Sequence, residues 1–206
     1  MYAPKHFEVK DQAELLEFIK AFPFASLVTN GTEGLNADHI PMLVRVDAEN
    51  KVFLQGHIAK ANTLWQKVVS KADVLVIFQG DNAYISPNWY PSKQRDGKAV
   101  PTWNYQAVHV KGSIEFIYEV EWKLALLEKL TNTHEQTQSA PWSMSDAPQE
   151  YIDRLQAAVV GVEIEVTDIQ GKFKLSQNQS DENKSGVREG LTKTKHPMAQ
   201  LIQKVN

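Results

Sequence analysis

In the stretch GHIAKANTLW, residues 56–65, His57, Lys60 and Asn62 fall within six positions, directly after a glycine. Where a strand gives way to a helix, backbone N–H groups and the positive end of the helix dipole point outward. A lysine and a histidine beside such a junction suit a phosphate group. The same residues also suit a solvated turn that Asn62 merely caps. The glycine spacing and ending of a P-loop are absent.

A second segment, VPTWNYQAVHVKG at 100–112, gathers Trp103, Asn104, Tyr105 and His109. With Trp89 and Tyr90 just before it, four large rings lie within 17 residues. Such rings stack on a planar cofactor or on bases, or they fill an interface between subunits. A third segment, DHIPML at 38–43, sets Pro41 inside an apolar run. That implies an edge strand, a bulge or a backbone face left open, along which a flat ring could lie. His109 reads as a hydrogen-bonded strand residue, and no residue is assigned a catalytic role.

Other chemistries are excluded by what is missing. The chain has no cysteine, hence no disulfide, thiolate nucleophile or Cys-held metal. Its six histidines show neither HxH nor HExxH spacing, so no metal site is expected. No GxSxG elbow, calcium loop or helix-turn-helix pattern is present.

The elements that must position these residues are legible from periodicity. KDQAELLEFIKAF reads as a helix capped by Asp11 and stopped by Pro23. Strands are predicted over 24–30, 39–46 and 51–58, then a short helix over 61–69. Further strands are predicted at 72–80, 83–86 and 105–118, separated by a long loop over 87–104. Two helices follow, one with Trp122, Leu126 and Leu130 on its stripe and one capped by Asp146. Two strand segments are expected around a turn at Gly171, then a terminal helix. Many strands with few, late helices argue for an antiparallel barrel or α+β fold.

The 206 residues suit a single domain, 1–206, of ordinary globular composition, 42% hydrophobic and 23% charged. No secretory signal pattern or bilayer-length apolar run appears, so a cytoplasmic protein is expected. The net charge of −3 gives no global attraction to nucleic acid. Residues 184–206 are basic, with Lys184, Arg188, Lys193, Lys195 and Lys204 against Glu189 alone. This tail carries +4 and leaves −7 on the remainder. It is either a solvated helix face or a contact for phosphate, including DNA.

Four segments in order, GHIAKANTLW, VIFQGDNAYISPNWYPSK, VPTWNYQAVHVKG and KFKLSQNQSDENKSGVREGL, resemble the PaiB-like family. That family is also described as FMN-binding negative transcriptional regulators. The resemblance covers nearly the whole chain and implies a mainly β, antiparallel split β-barrel with flanking helices, assembled as a homodimer around FMN. It implies that the FMN phosphate meets His57, Ile58, Ala59 and Lys60, with Asn62 nearby. The ring system would lie along His39, Ile40, Pro41 and Met42. Trp103, Asn104 and Tyr105 would cover it from the partner subunit. It further implies a regulatory role; the alternative is an FMN-dependent oxidoreductase or flavin reductase acting on a small molecule. The family's oxidase relatives hold a substrate phosphate with an Arg- and His-rich C-terminal segment, where this chain has KLSQNQSDENKSGV.

Overall fold

Alternating apolar and polar residues dominate the chain, and the computed structural model, which describes residues 1–202, builds eight strands from them. They are β1 (Glu8–Val9), β2 (Phe24–Gly31), β3 (Gly34–Pro41), β4 (Leu43–Val46), β5 (Val52–Ala59), β6 (Ala72–Ile85), β7 (Thr102–Ile117) and β8 (Val159–Lys174). Six helices accompany them: α1 (Gln12–Ala21), α2 (Leu64–Lys67), α3 (Lys93–Asp96), α4 (Val120–Glu135), α5 (Gln149–Ala157) and α6 (Asp181–Lys193). The last four positions of the basic tail, including Lys204, lie outside the described residues.

The strands form one sheet in the order β3-β2-β6-β7-β8-β5-β4, with β1 added to β8. The two strands at the ends of that order, β3 and β4, are consecutive in the chain and separated by Met42 alone. The sheet must therefore roll until its edges meet at Met42, although no β3–β4 ladder closes it. This is an open, split antiparallel barrel with flanking helices, the expected fold class.

Contacts divide the chain into two units. The first comprises Met1–Phe18, Phe78–His109 and the described residues from Ile169. The second comprises Ile19–Ile77 and Val110–Asp168. In the first, Ile85, Val187, Leu191, Met198 and Ile202 are buried together, with Trp89 packed against them. In the second, alternation on β2 buries Ala25, Leu27 and Thr29, and on β8 it buries Val160, Val162 and Ile164. Leu126 and Leu130 of α4 close over Leu43.

Several sequence expectations need correction. The strand predicted over 39–46 is two, because Pro41 lacks an N–H and Met42 turns inward, its N–H donating to Pro23 O at 2.9 Å. The segments 72–80 and 83–86 are one strand, β6. Gly171 makes no turn; it lies inside β8, where a Cβ would fall 2.2 Å from Leu15 Cδ2, so glycine serves close packing there. Asp146 caps no long helix. It accepts from Ser143 N at 2.9 Å in a short 3-10 turn, and Pro148 takes the N-cap of α5. The loop over 87–104 contains a 3-10 turn and α3, and buries Tyr90.

Candidate functional site

The phosphate candidates sit where β5 ends, in the second unit. His57, Ile58 and Ala59 are its last three residues, paired with Gly161, Val160 and Val159 of β8. Ile58 is buried, whereas Ala59 and Lys60 are exposed. The turn that follows is fastened at both sides. Lys60 N donates to Ala158 O at 2.8 Å, and Lys60 O accepts from Trp65 Nε1 at 3.0 Å.

Asn62 does less capping and more bracing than its sequence position suggests. Its Oδ1 accepts from Leu64 N at 3.0 Å, and its Nδ2 donates to Asp38 Oδ1 at 2.7 Å. Helix α2 has four residues rather than the nine predicted, since only Leu64–Lys67 is helical. So short a helix contributes a weak dipole, and side-chain charge must supply most of the attraction for an anion.

That charge is present. The Lys60 ammonium is exposed, and among the described residues no carboxylate pairs with it. Lys123 of α4 lies close enough to feel it. Burial, and then repulsion from Lys60, hold the Lys123 ammonium below its usual pKa. Lys123 is 7% exposed and donates to Gln156 O at 2.9 Å and Val159 O at 3.3 Å. It therefore binds the α5–β8 junction, against which Lys60 N is also bonded. His57 Nδ1 is buried without a hydrogen-bond partner, and burial pushes the imidazole below its ordinary pKa. Two repelling cations and an unpartnered imidazole nitrogen fit a phosphate monoester, whose charge of roughly −1.5 to −2 would relieve both.

The ring candidates lie beside this turn. A Cβ on Gly56 would come within 2.9 Å of both Pro41 O and Met42 Sδ, so β5 and the β3–β4 junction touch only because residue 56 is glycine. His39 is exposed and its Nδ1 lies 3.0 Å from Ser26 Oγ. Ile40 and Met42 are buried, and Pro41 is half-buried. Because β3 ends the sheet order, one side of its backbone lacks a ladder, as a strand proline requires. His39 to Met42, His57 to Lys60 and Asn62 are thus brought together within one unit.

Trp103, Asn104 and Tyr105 belong to the other unit, at the start of β7. Strand alternation puts Trp103 and Tyr105 on one face and Asn104 on the other. Trp103 is 54% exposed, its ring 6.0 Å from that of Tyr84. Tyr105 lies under the Lys172 ammonium, 5.2 Å from its ring centre. Asn104 is fully buried, its Nδ2 donating to Ser176 Oγ at 2.9 Å. Trp89 and Tyr90 join the hydrophobic core of the first unit. His109 is half-buried, with a pKa lowered by burial and then by the N-terminal ammonium.

The apolar stripe Trp122, Leu126 and Leu130 of α4 does not by itself reveal Lys123 as a buried residue. Its signal was its place three residues before Leu126 and seven before Leu130, on the buried face. Among the described residues no group of acids and histidines could hold a metal. Among the described residues, too, no helix is long and apolar enough to cross a membrane.

Comparison with known proteins identifies the family and the fold. The profile of a family described as "Putative FMN-binding domain" matches residues 1–168. The chain is 33% identical over 210 residues to the protease synthase and sporulation protein PAI 2 of Bacillus subtilis, covering 98% of this chain and 97% of that one. Among solved structures it is similar to the flavocytochrome Anf3 of Azotobacter vinelandii, with a TM-score of 0.58 and 12% identity over 84% of this chain and 72% of that one. It is also similar to an FAD- and heme-binding protein of Mycobacterium smegmatis, with a TM-score of 0.60 and 14% identity over 86% and 78%. An open antiparallel barrel thus meets a matching sequence profile and a full-length relative, and the chain belongs to the PaiB-like family of FMN-binding split-barrel proteins.

Proposed function

We propose that this protein is a homodimeric, cytoplasmic flavoprotein with a regulatory role, acting as a single FMN-binding domain. The observation that carries the binding mode is the pair of cations near the β5–α2 turn, Lys60 and Lys123, neither of them ion-paired with a carboxylate among the described residues, beside the edge of β3. Lys60 and His57 hold the FMN phosphate, with Ile58 and Ala59 forming the approach to the turn and Asn62 shaping it. The ring system lies along His39, Ile40, Pro41 and Met42. Trp103 and Tyr105 of a second copy cover the ring, and Asn104 fixes the strand that carries them. Bound FMN supplies redox chemistry; the residues named here bind and orient it and exclude water.

The regulatory part rests on the likeness to PAI 2, whose name associates it with sporulation and protease synthesis. DNA contact through the basic tail gains little support from its charge pattern. Lys184 pairs with Asp181 at 3.2 Å and Lys193 with Glu189 at 2.8 Å.

The visible spectrum of freshly purified protein, before and after adding FMN, tests the proposal together with sedimentation equilibrium. A yellow dimer is expected. A colourless protein that refuses added FMN would overturn it. Rapid bleaching of the bound flavin by NAD(P)H would replace the regulatory role with an oxidoreductase one.

A further inference from the structure

The first unit contains a polar cavity, of about 270 Å³, where the start of β7 meets the end of β8 and the N-terminal part of α6. Two side-chain pairs span its strands. Lys174 Nζ donates to Thr102 Oγ1, and Asn104 Nδ2 donates to Ser176 Oγ. Asn183 of α6 closes the far wall, its Nδ2 donating to Ser92 Oγ at 3.0 Å and its Oδ1 accepting from Ser92 N at 3.3 Å.

Three features distinguish this cavity from an ordinary hydrated cleft. Its charged lining residues are Lys98 and Lys174, with no carboxylate among the residues that line it. Asn104 is fully buried and its Oδ1 has no partner, a condition that is unfavourable when nothing answers it. If the Ser176 hydroxyl donates instead, the amide turns over and leaves a free N–H donor in the same place. Ser176, 2% exposed, holds a left-handed backbone at φ 64, a strained state that recurs around ligand sites. The strain is held from both sides by Gln177, whose side chain bonds Leu175 N and Phe173 O.

We propose that this cavity binds a small organic carboxylate carrying a second polar group. The carboxylate pairs with Lys174, whose ammonium is depressed by burial and by neighbouring Lys172 and is restored by one negative charge. The second group, a hydroxyl, amine or amide, meets the unpaired end of Asn104. A single carboxylate suits the site better than a dianionic phosphate ester, because Lys98 is exposed and Lys174 is the one cation set into the wall. The cavity is smaller than the roughly 300–1,000 Å³ typical of drug-sized ligands, which points to a metabolite of modest size.

The test titrates the full-length protein calorimetrically, with and without FMN, using L-lactate, L-glutamate, 4-hydroxybenzoate, neutral lactamide and inorganic phosphate. At least one carboxylate is expected to bind with a dissociation constant below about 1 mM. Lys174→Met should weaken it at least tenfold and Lys98→Ala severalfold, whereas Lys60→Ala should leave it unchanged while impairing FMN uptake. Should Lys174→Met lose its native thermal transition, Lys98→Ala and the side-chain amide resonance of Asn104 decide, the latter moving at saturation. The proposal is overturned if no carboxylate binds, if phosphate or lactamide binds as tightly, or if Lys98→Ala and the Asn104 resonance are both silent.

Discussion

Lys60 shows how a single side chain can be exposed in the protomer and still be specified. Its backbone is fixed on both sides, yet its ammonium has no carboxylate partner among the described residues. Removing a charge-assisted contact to phosphate costs about 1.5–3 kcal/mol. Lys60→Ala should therefore raise the FMN dissociation constant at least tenfold, read by fluorescence quenching of free flavin, with an unchanged unfolding midpoint. His57 makes a second prediction. Its folded pKa is depressed, so in the unfolded chain it binds protons that the folded chain refuses. The stability is fully present above the unfolded value of about 6.5 and is lost as pH falls toward the folded value. The urea midpoint of the apoprotein should drop between pH 7 and pH 5, and His57→Gln should flatten that slope. His109 shifts the same way, so the double variant should flatten it further.

At the scale of elements, two close approaches fix the geometry. Helix α1 packs on β8 through Gly171, and its first turn is held by Asp11 Oδ1 accepting from Ala13 N at 2.9 Å. Gly171→Val should cost about 1–3 kcal/mol by overpacking against Leu15, measured by denaturant unfolding. A midpoint within experimental scatter of wild type would contradict the packing account. The α5–β8 junction depends on Lys123, whose buried ammonium serves the carbonyls of Gln156 and Val159. Lys123→Met should take a donor from each of those carbonyls and destabilise the protein by roughly 1–3 kcal/mol. It should also loosen FMN through the Lys60 turn, whereas Lys123→Arg should recover part of the binding.

For the whole molecule, ligand linkage and assembly are the relevant measurements. A ligand that binds the folded state stabilises it by about 2.7 kcal/mol at a hundredfold excess over its dissociation constant. Saturating FMN should raise the thermal midpoint of the protein and should do so less in Lys60→Ala. If Trp103 and Tyr105 cover the flavin of a second copy, Trp103→Ala should weaken both dimerisation and FMN retention. An effect on neither would remove these rings from the site.

The sequence by itself determined where most strands lie, β2 and β5 to within one residue, and the grouping of His57, Lys60 and Asn62, because alternation and local spacing are short-range properties. It also pointed to Pro41 as a break in pairing, since a missing N–H does not depend on context. Other features needed the tertiary structure. Whether Gly171 was a turn or a packing glycine depended on Leu15, which lies 156 residues away in the chain. Asn104 read like its neighbours Trp103 and Tyr105 until strand alternation turned it to the opposite face, onto Ser176. Lys123 looked like an ordinary helix-surface lysine, and only packing of α4 over the α5–β8 junction put its charge beside Lys60. Local pattern sets what each segment becomes; which charges and cavities face one another depends on contacts between segments far apart in the chain.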